Sequence, residues 1–229
     1  MPMRKSPPAL LTVPELRDIY SRLAPLYSLL EILPEGGARR EARALAAVKN
    51  GERVLEIGVG PGWDFEKLAS ENPTGMTAGL DLTRGMLDRA TQRCRRRSLL
   101  PPALLQCDCR SLPFRSGSFD VVFSAYVFDA LAKQDTEKTL LEIRRVLKPS
   151  GRLVLVHLSA TSRWFTFFWG MLYCFVPNLL GGCRPIEIAE GLAQAGFNVS
   201  EARKLRNWGI PTEVILAVTE REQTPGAAS

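Results

Sequence analysis

Apolar positions along this chain follow two alternating rhythms. Short aliphatic or aromatic runs occur at Arg53–Ile57, Met76–Leu82, Ala103–Asp108, Phe119–Ser124 and Arg152–Leu158, as expected of strands buried on both faces of a parallel sheet. Between them, Asp64–Ala69, Thr83–Arg97 and Thr136–Leu147 carry the spacing of amphipathic helices. Thr83 is placed to cap the second of these, and Lys148-Pro149-Ser150-Gly151 is expected to stop the third. Further on, Pro185–Ala195 reads as a helix ended by Gly196. Phe197–Arg206 and Thr212–Glu220 read as two strands joined by Asn207-Trp208-Gly209-Ile210-Pro211. The prediction is an α/β fold: a mostly parallel seven-stranded sheet, helices on both faces, and a C-terminal antiparallel hairpin.

Ahead of the first strand, Pro14–Ile32 repeats Leu16, Ile19, Tyr20, Leu23, Tyr27 and Leu30 near the helical period, and Arg39–Val48 resumes it after Leu33-Pro34-Glu35-Gly36-Gly37. Residues 1–50 therefore read as a helical cap on a main domain of 51–222, with 223–229 a disordered tail and the Pro-bearing first dozen residues a loose lead.

One segment breaks both rhythms. The 20 positions from Trp164 to Cys183 contain no charge and hold seven aromatic residues. That is about the length of a membrane span, but Pro177, Asn178, Gly181 and Gly182 interrupt its second half. The segment reads as a lid over an apolar acceptor or as a monolayer-contacting element, not as a transmembrane helix.

Composition, with 45% hydrophobic and 24% charged residues, is that of an ordinary globular chain. The net charge of +6 allows an anionic partner without demanding nucleic acid. Arg93, Arg95, Arg96 and Arg97 read first as a solvated helix face and second as a peripheral attraction to an anionic membrane. No aromatics alternate with them, which argues against a single-stranded nucleic-acid platform. The cysteines, Cys94, Cys107, Cys109, Cys174 and Cys183, are odd in number and form no C-x-x-C pair. Neither a disulfide framework nor a metal site is expected, and reduced thiols in a cytoplasmic setting are the simplest account.

The most specific chemistry sits where the first strand ends. Glu56-Ile57-Gly58-Val59-Gly60-Pro61-Gly62 spells E-x-G-x-G-x-G between a strand and a helix. A dinucleotide fingerprint places its third glycine at the sixth position; that position is Trp63 here, and Gly62 comes one residue early. The pattern resembles motif I of the class I S-adenosylmethionine-dependent methyltransferases. Arg145-Val146-Leu147-Lys148-Pro149-Ser150-Gly151-Arg152-Leu153 is similar to the R-V-L-K-P-G-G-x-L element of the ubiquinone/menaquinone biosynthesis methyltransferases and their relatives, which include phospholipid N-methyltransferases. The resemblance runs from about Leu16 to Val218 and implies a Rossmann-like fold.

It also implies roles for particular residues. Glu56, Gly58, Val59, Gly60 and Gly62 form the cofactor loop. Asp81, closing the second strand, accepts the ribose hydroxyls, and Leu82 and Met86 cover the adenine. Asp108 and the backbone of Cys109, within Asp108-Cys109-Arg110-Ser111-Leu112-Pro113-Phe114, meet the adenine edge. Ser124 faces the methionyl end. Tyr20 and Tyr27 belong to a helix that closes over the cofactor, with core packing as their alternative reading. Facing the acceptor are Tyr126, His157, Phe168, Trp169 and Tyr173. Two positions depart from the family pattern: Ser28 stands where it has Asp, and His157 where quinone methyltransferases have Glu. The single histidine reads as a packed strand-end residue or as a base for an acceptor proton.

The implied activity is methyl transfer from S-adenosylmethionine to a hydrophobic or lipid-like small molecule, with a phospholipid amine and a quinone-type ring both open. No catalytic residue is assigned. A nicotinamide-dependent oxidoreductase and a non-catalytic membrane-associated module are the rival readings.

Overall fold

The computed structural model describes residues 8–23, 36–99, 102–160, 162–178 and 180–219. In chain order these form α1 (Val13–Leu23), α2 (Gly37–Ala46), β1 (Arg53–Ile57), α3 (Trp63–Glu71), β2 (Met76–Asp81), α4 (Arg84–Arg96) and β3 (Ala103–Gln106). There follow β4 (Phe119–Ala125), α5 (Lys133–Val146), β5 (Leu147–Leu158), α6 (Arg163–Phe175), α7 (Ala189–Gln194), β6 (Phe197–Asn207) and β7 (Ile210–Thr219). Tyr27 and Ser28 lie outside the described residues, as does the 223–229 tail.

Seven strands form one sheet in the order β3-β2-β1-β4-β5-β7-β6. Pairing is parallel from β3 to β5 and antiparallel where β7 inserts between β5 and β6. The fold expectation holds, edge hairpin included. Alternation along each strand divides the core between two faces. Leu55, Ile57, Val122, Leu153 and Leu155 pack with Leu140 and Ile143 of α5 and Leu192 of α7. Val54, Val121, Phe123, Val154 and Val156 pack with Ala38, Ala42 and Leu45 of α2 and Leu68 of α3. Both faces are covered at the centre of the sheet, so both sets of positions had to be apolar there; β3, expected to be buried on both faces, is instead a mostly exposed edge strand of Ala103–Gln106, because it has a neighbour on one side only.

Four other local expectations are corrected. Leu147 pairs with Phe119, so α5 passes straight into β5 and the Lys148–Gly151 stretch belongs to the strand, beside an irregularity between Phe119 and Val121. The predicted helix at Pro185 begins only at Ala189. Ile186 and Ile188 are buried, and Ile186 bridges Ser159, so the alternation Ile186-Glu187-Ile188 was a strand-like signal. The hairpin turns on two residues, Trp208 (φ +55°) and Gly209 (φ +80°), the left-handed pair that matches strand twist. Thr83 does occupy the N-cap of α4, but without capping it: its hydroxyl donates to Asp81 Oδ1 at 3.0 Å.

The segment from Trp164 forms α6, which ends before Pro177. At 13 residues it is about 20 Å long, and no helix among the described residues is long and apolar enough to cross a membrane.

Candidate active site

A cavity of about 320 Å³ opens at the carboxyl ends of β1, β2 and β4, between the glycine loop, α1 and the chain after α6. This is the topological switch point, where the chain leaves β1 to one side for β2 and to the other for β4. The glycine loop is pinned there by backbone bonds: Gly58 and Val59 N–H both donate to Leu80 O, at 2.8 and 3.0 Å. Gly60 lines the cavity with φ +53°, and a Cβ added to it would meet no protein atom within 4 Å. Gly62 has a different task. It precedes α3 with φ +86°, and its missing Cβ would lie 2.8 Å from Ala90 Cα of α4. Gly62 thus permits two helices to approach closely, where the third glycine of a dinucleotide fingerprint permits a helix to approach a strand.

Asp81 lies on the floor at the end of β2. Its Oδ2 accepts the Gly60 N–H at 2.9 Å and its Oδ1 the Thr83 N–H at 2.9 Å, so it ties the loop to the start of α4. Burial raises its pKa, and those donors oppose the shift. Asp108 sits on the neighbouring rim, gripped by the Arg110 guanidinium through both carboxylate oxygens, with Arg110 also reaching Asp135 at 3.0 Å. Burial acts to raise the Asp108 carboxyl, but Arg110 holds it below the usual range. Leu80, Leu82, Met86, Cys107 and Cys109 supply an apolar surface between the two carboxylates. Burial pushes the Cys109 thiol up to about 11, so it is no nucleophile.

The opposite end is built from α2, Trp63 and the residues after β4. Tyr126 has φ +61°, an uncommon backbone for a residue with a bulky side chain. Its hydroxyl accepts from Asn207 Nδ2 at 3.1 Å. The Arg39 guanidinium lies 5.4 Å from the Trp63 ring centroid and 5.3 Å from that of Tyr126, and it is ion-paired to Asp64. Val13, Leu16 and Tyr20 of α1 form the roof, with Tyr20 Oη donating to Gly181 O at 3.0 Å beside Cys183.

Of the residues singled out in the sequence, Tyr20, Gly58, Val59, Gly60, Asp81, Leu82, Met86, Asp108, Cys109 and Tyr126 line this one cavity. Glu56 lies beneath it, fully buried, with burial and the nearby Asp64 carboxylate pushing its carboxyl well above the usual range. Ser124 is buried between strands, its hydroxyl 3.3 Å from Ile57 O. Gly62 packs helices instead of lining the space. His157 is not brought to the cavity: it is 1% exposed at the β5–β7 seam, its Nδ1 3.1 Å from Leu158 O, and burial lowers its pKa to about 4. Its Nε2 lies 3.5 Å from Glu213, but a ring that stays neutral makes no ion pair there.

Phe168, Trp169 and Tyr173 do not line the cavity either. Trp169 Nε1 donates to Cys183 O at 2.9 Å, and the Tyr173 hydroxyl accepts from Leu10 N at 3.1 Å, so these two fasten α6 to the roof. Phe168 points outward and is 53% exposed. Sequence reasoning passed over Arg39, Trp63, Val127, Ala130, Leu131 and Cys183, all lining residues. Arg39 stands in a helix rich in arginine, where nothing local marks it as inward-facing.

Residues 55–155 match the "Methyltransferase domain" family model. The chain is 37% identical over 205 residues to a demethylmenaquinone methyltransferase of Thermus thermophilus, covering 79% of this chain and 92% of that protein. It is 34% identical to a ubiquinone/menaquinone biosynthesis C-methyltransferase of Paraburkholderia phytofirmans, over 63% of this chain and 60% of that one. Among solved structures, the [4+2]-cyclase SpnF superposes with a TM-score of 0.72 at 17% identity, over 94% of this chain and 99% of that chain, a likeness of fold alone.

With its glycine loop, switch-point cavity and these relatives, the chain belongs to the class I S-adenosylmethionine-dependent methyltransferases, within the ubiquinone/menaquinone methyltransferase-like family. It is an enzyme, and its cofactor is S-adenosylmethionine. The residues present fit that molecule: a buried carboxylate, a loop edge without a side chain at Gly60, and an apolar floor.

Proposed function

We propose that this methyltransferase acts on a hydrophobic, lipid-like acceptor, a quinone-type ring before a phospholipid amine, taken from a membrane surface. The observation that carries this reading is the outer face of α6. Trp164, Phe167, Phe168, Met171, Leu172 and Phe175 are all between 46% and 80% exposed on one short helix. Trp164 stacks on Phe168 at 6.2 Å, and Phe168 meets Phe167 at 5.4 Å. Contiguous apolar surface of this kind marks a contact site, and aromatic side chains suit the membrane interface. The inner face of the same helix fastens the cavity roof through Trp169 and Tyr173, so the apolar surface lies on the outer side of an element tied to that roof. The quinone-type ring is preferred because the relative matched over most of its length is a demethylmenaquinone methyltransferase.

In this reading Asp81 and Asp108 hold the nucleoside, Gly58, Val59 and Gly60 bring backbone against the cofactor, and Leu82 and Met86 cover the adenine. Bound S-adenosylmethionine supplies a methyl group already activated on a sulfonium. The chain then has to hold the acceptor in line and exclude water. Val127, Ala130 and Leu131, which line the cavity beyond Tyr126, supply a dry wall for that purpose.

The test is incubation with radiolabelled donor and vesicles of anionic lipid carrying a demethylated prenyl-naphthoquinone, with phosphatidylethanolamine vesicles alongside. Label is expected in the quinone. Replacing Trp164 and Phe168 by Glu should abolish vesicle flotation and cut turnover of the vesicle-borne acceptor about tenfold or more, while turnover of detergent-dispersed acceptor stays near wild type. Absence of label from every lipid product overturns the acceptor class, and flotation unchanged by the substitutions overturns the membrane face.

A further inference from the structure

We propose that the hairpin tip at Trp208 is a second point of contact with an anionic lipid bilayer, so that the molecule docks by the carboxyl edge of its sheet; this rests on the membrane reading above. Thr212 of β7 pairs with Leu158, the last residue of β5. Trp208 and Gly209 therefore project past the end of β5, at the edge from which the chain departs into α6. The cavity opens at this same end. Asn207, the residue before the tip, donates to the hydroxyl of the cavity residue Tyr126 at 3.1 Å.

Exposed apolar surface is gathered at this edge. Among the described residues, the large apolar side chains left exposed are the six on α6, Leu10, whose N–H meets Tyr173 of α6, and Trp208; only Leu105 of β3 and Leu141 of α5 lie elsewhere. Single exposed apolar residues are ordinary, but their concentration at one end marks a contact. Trp208 also stands where the turn itself has no use for it. Its φ of +55° is left-handed, a conformation that is costly for a bulky side chain and that asparagine ahead of glycine adopts readily. The indole is 59% exposed, so burial within the fold does little to offset that cost. A strained residue with so little packing to hold it points to a task outside the fold.

Cations flank the tip. Lys204 and Arg206 are exposed on the strand that leads to it. Arg40 is exposed in the first turn of α2, whose N-cap residue Gly36 packs so closely against the Asn207 side chain that a Cβ there would clash. An indole among cations suits a surface where rings settle at headgroup level and the headgroups are anionic.

Flotation of the purified chain with vesicles of phosphatidylglycerol and phosphatidylcholine tests this. Trp208→Asn should weaken vesicle binding about tenfold, as expected for losing one well-buried apolar anchor. Its Tm should be unchanged or higher, because Asn-Gly suits the turn. Trp208→Phe should keep most of the affinity, and turnover of detergent-dispersed acceptor should stay near wild type in both variants. Binding unchanged in Trp208→Asn, while glutamate at Trp164 and Phe168 abolishes it, overturns the hairpin contact and leaves α6 as the anchor. Weaker binding together with a lower Tm in Trp208→Asn makes the indole a brace for the hairpin and overturns the proposal as well. Failure of the wild type to bind vesicles overturns this proposal and the membrane reading together.

Discussion

His157 is the one histidine of the chain, and its place at the active edge of a parallel sheet left two readings, a packed strand-end residue and a base. The fold seals it at the seam where β5 pairs with β7, opposite Glu213. Burial makes its charged form costly, so the ring stays neutral down to about pH 4. Below pH 6.5 the unfolded chain binds a proton that the native state refuses, so stability is lost as pH falls from 6.5 toward 4. Thermal melts of wild type and His157→Gln across that window check this: the wild type should lose more stability than the variant, and parallel curves would refute it. Asp81 shows the reverse relation between type and place. A carboxylate at a strand end was legible from its spacing after the glycines, but its bond to Gly60 N–H is a product of the loop returning over β2.

At the scale of elements, buried strands were the most legible because covering both sheet faces forces continuous apolar runs. Their β1 bounds agree with the pattern to the residue. Boundaries failed where a partner overrode local chemistry. Leu147 became a strand residue because Phe119 pairs with it, and Ile186 left the helix it was expected to join because Ser159 bridges it. The glycine loop was legible as a loop, yet the division of labour within it was not. Gly60 leaves space at the cavity, while Gly62 permits α3 to approach α4. Gly62→Ala combines a strained φ of +86° with a clash against the Ala90 backbone. It should cost about 1–3 kcal/mol of stability in denaturant melts. An unchanged midpoint would show that α3 and α4 adjust freely.

At the scale of the whole molecule, ligand and fold are linked, because the cavity exists only when β1, β2, β4 and α1 are assembled. Saturating S-adenosylmethionine at about 100 times its Kd should stabilise the native state by about 2.7 kcal/mol. For a chain of this size that is a rise of roughly 5–10 °C in Tm, readable by calorimetry. No shift at saturation would contradict the cofactor assignment.

By itself the amino-acid sequence determined the parallel sheet, the glycine turn, the acidic residue closing β2 and the uncharged aromatic segment. Each is a short-range pattern whose physics acts within one element or one turn. The tertiary structure decided which side chains share a cavity: it drew Arg39 in from α2, and it left His157 in the β5–β7 seam and Phe168 on the outer face of α6. Those outcomes depend on contacts between elements far apart in the chain, and such contacts leave no trace in the spacing of residues along it.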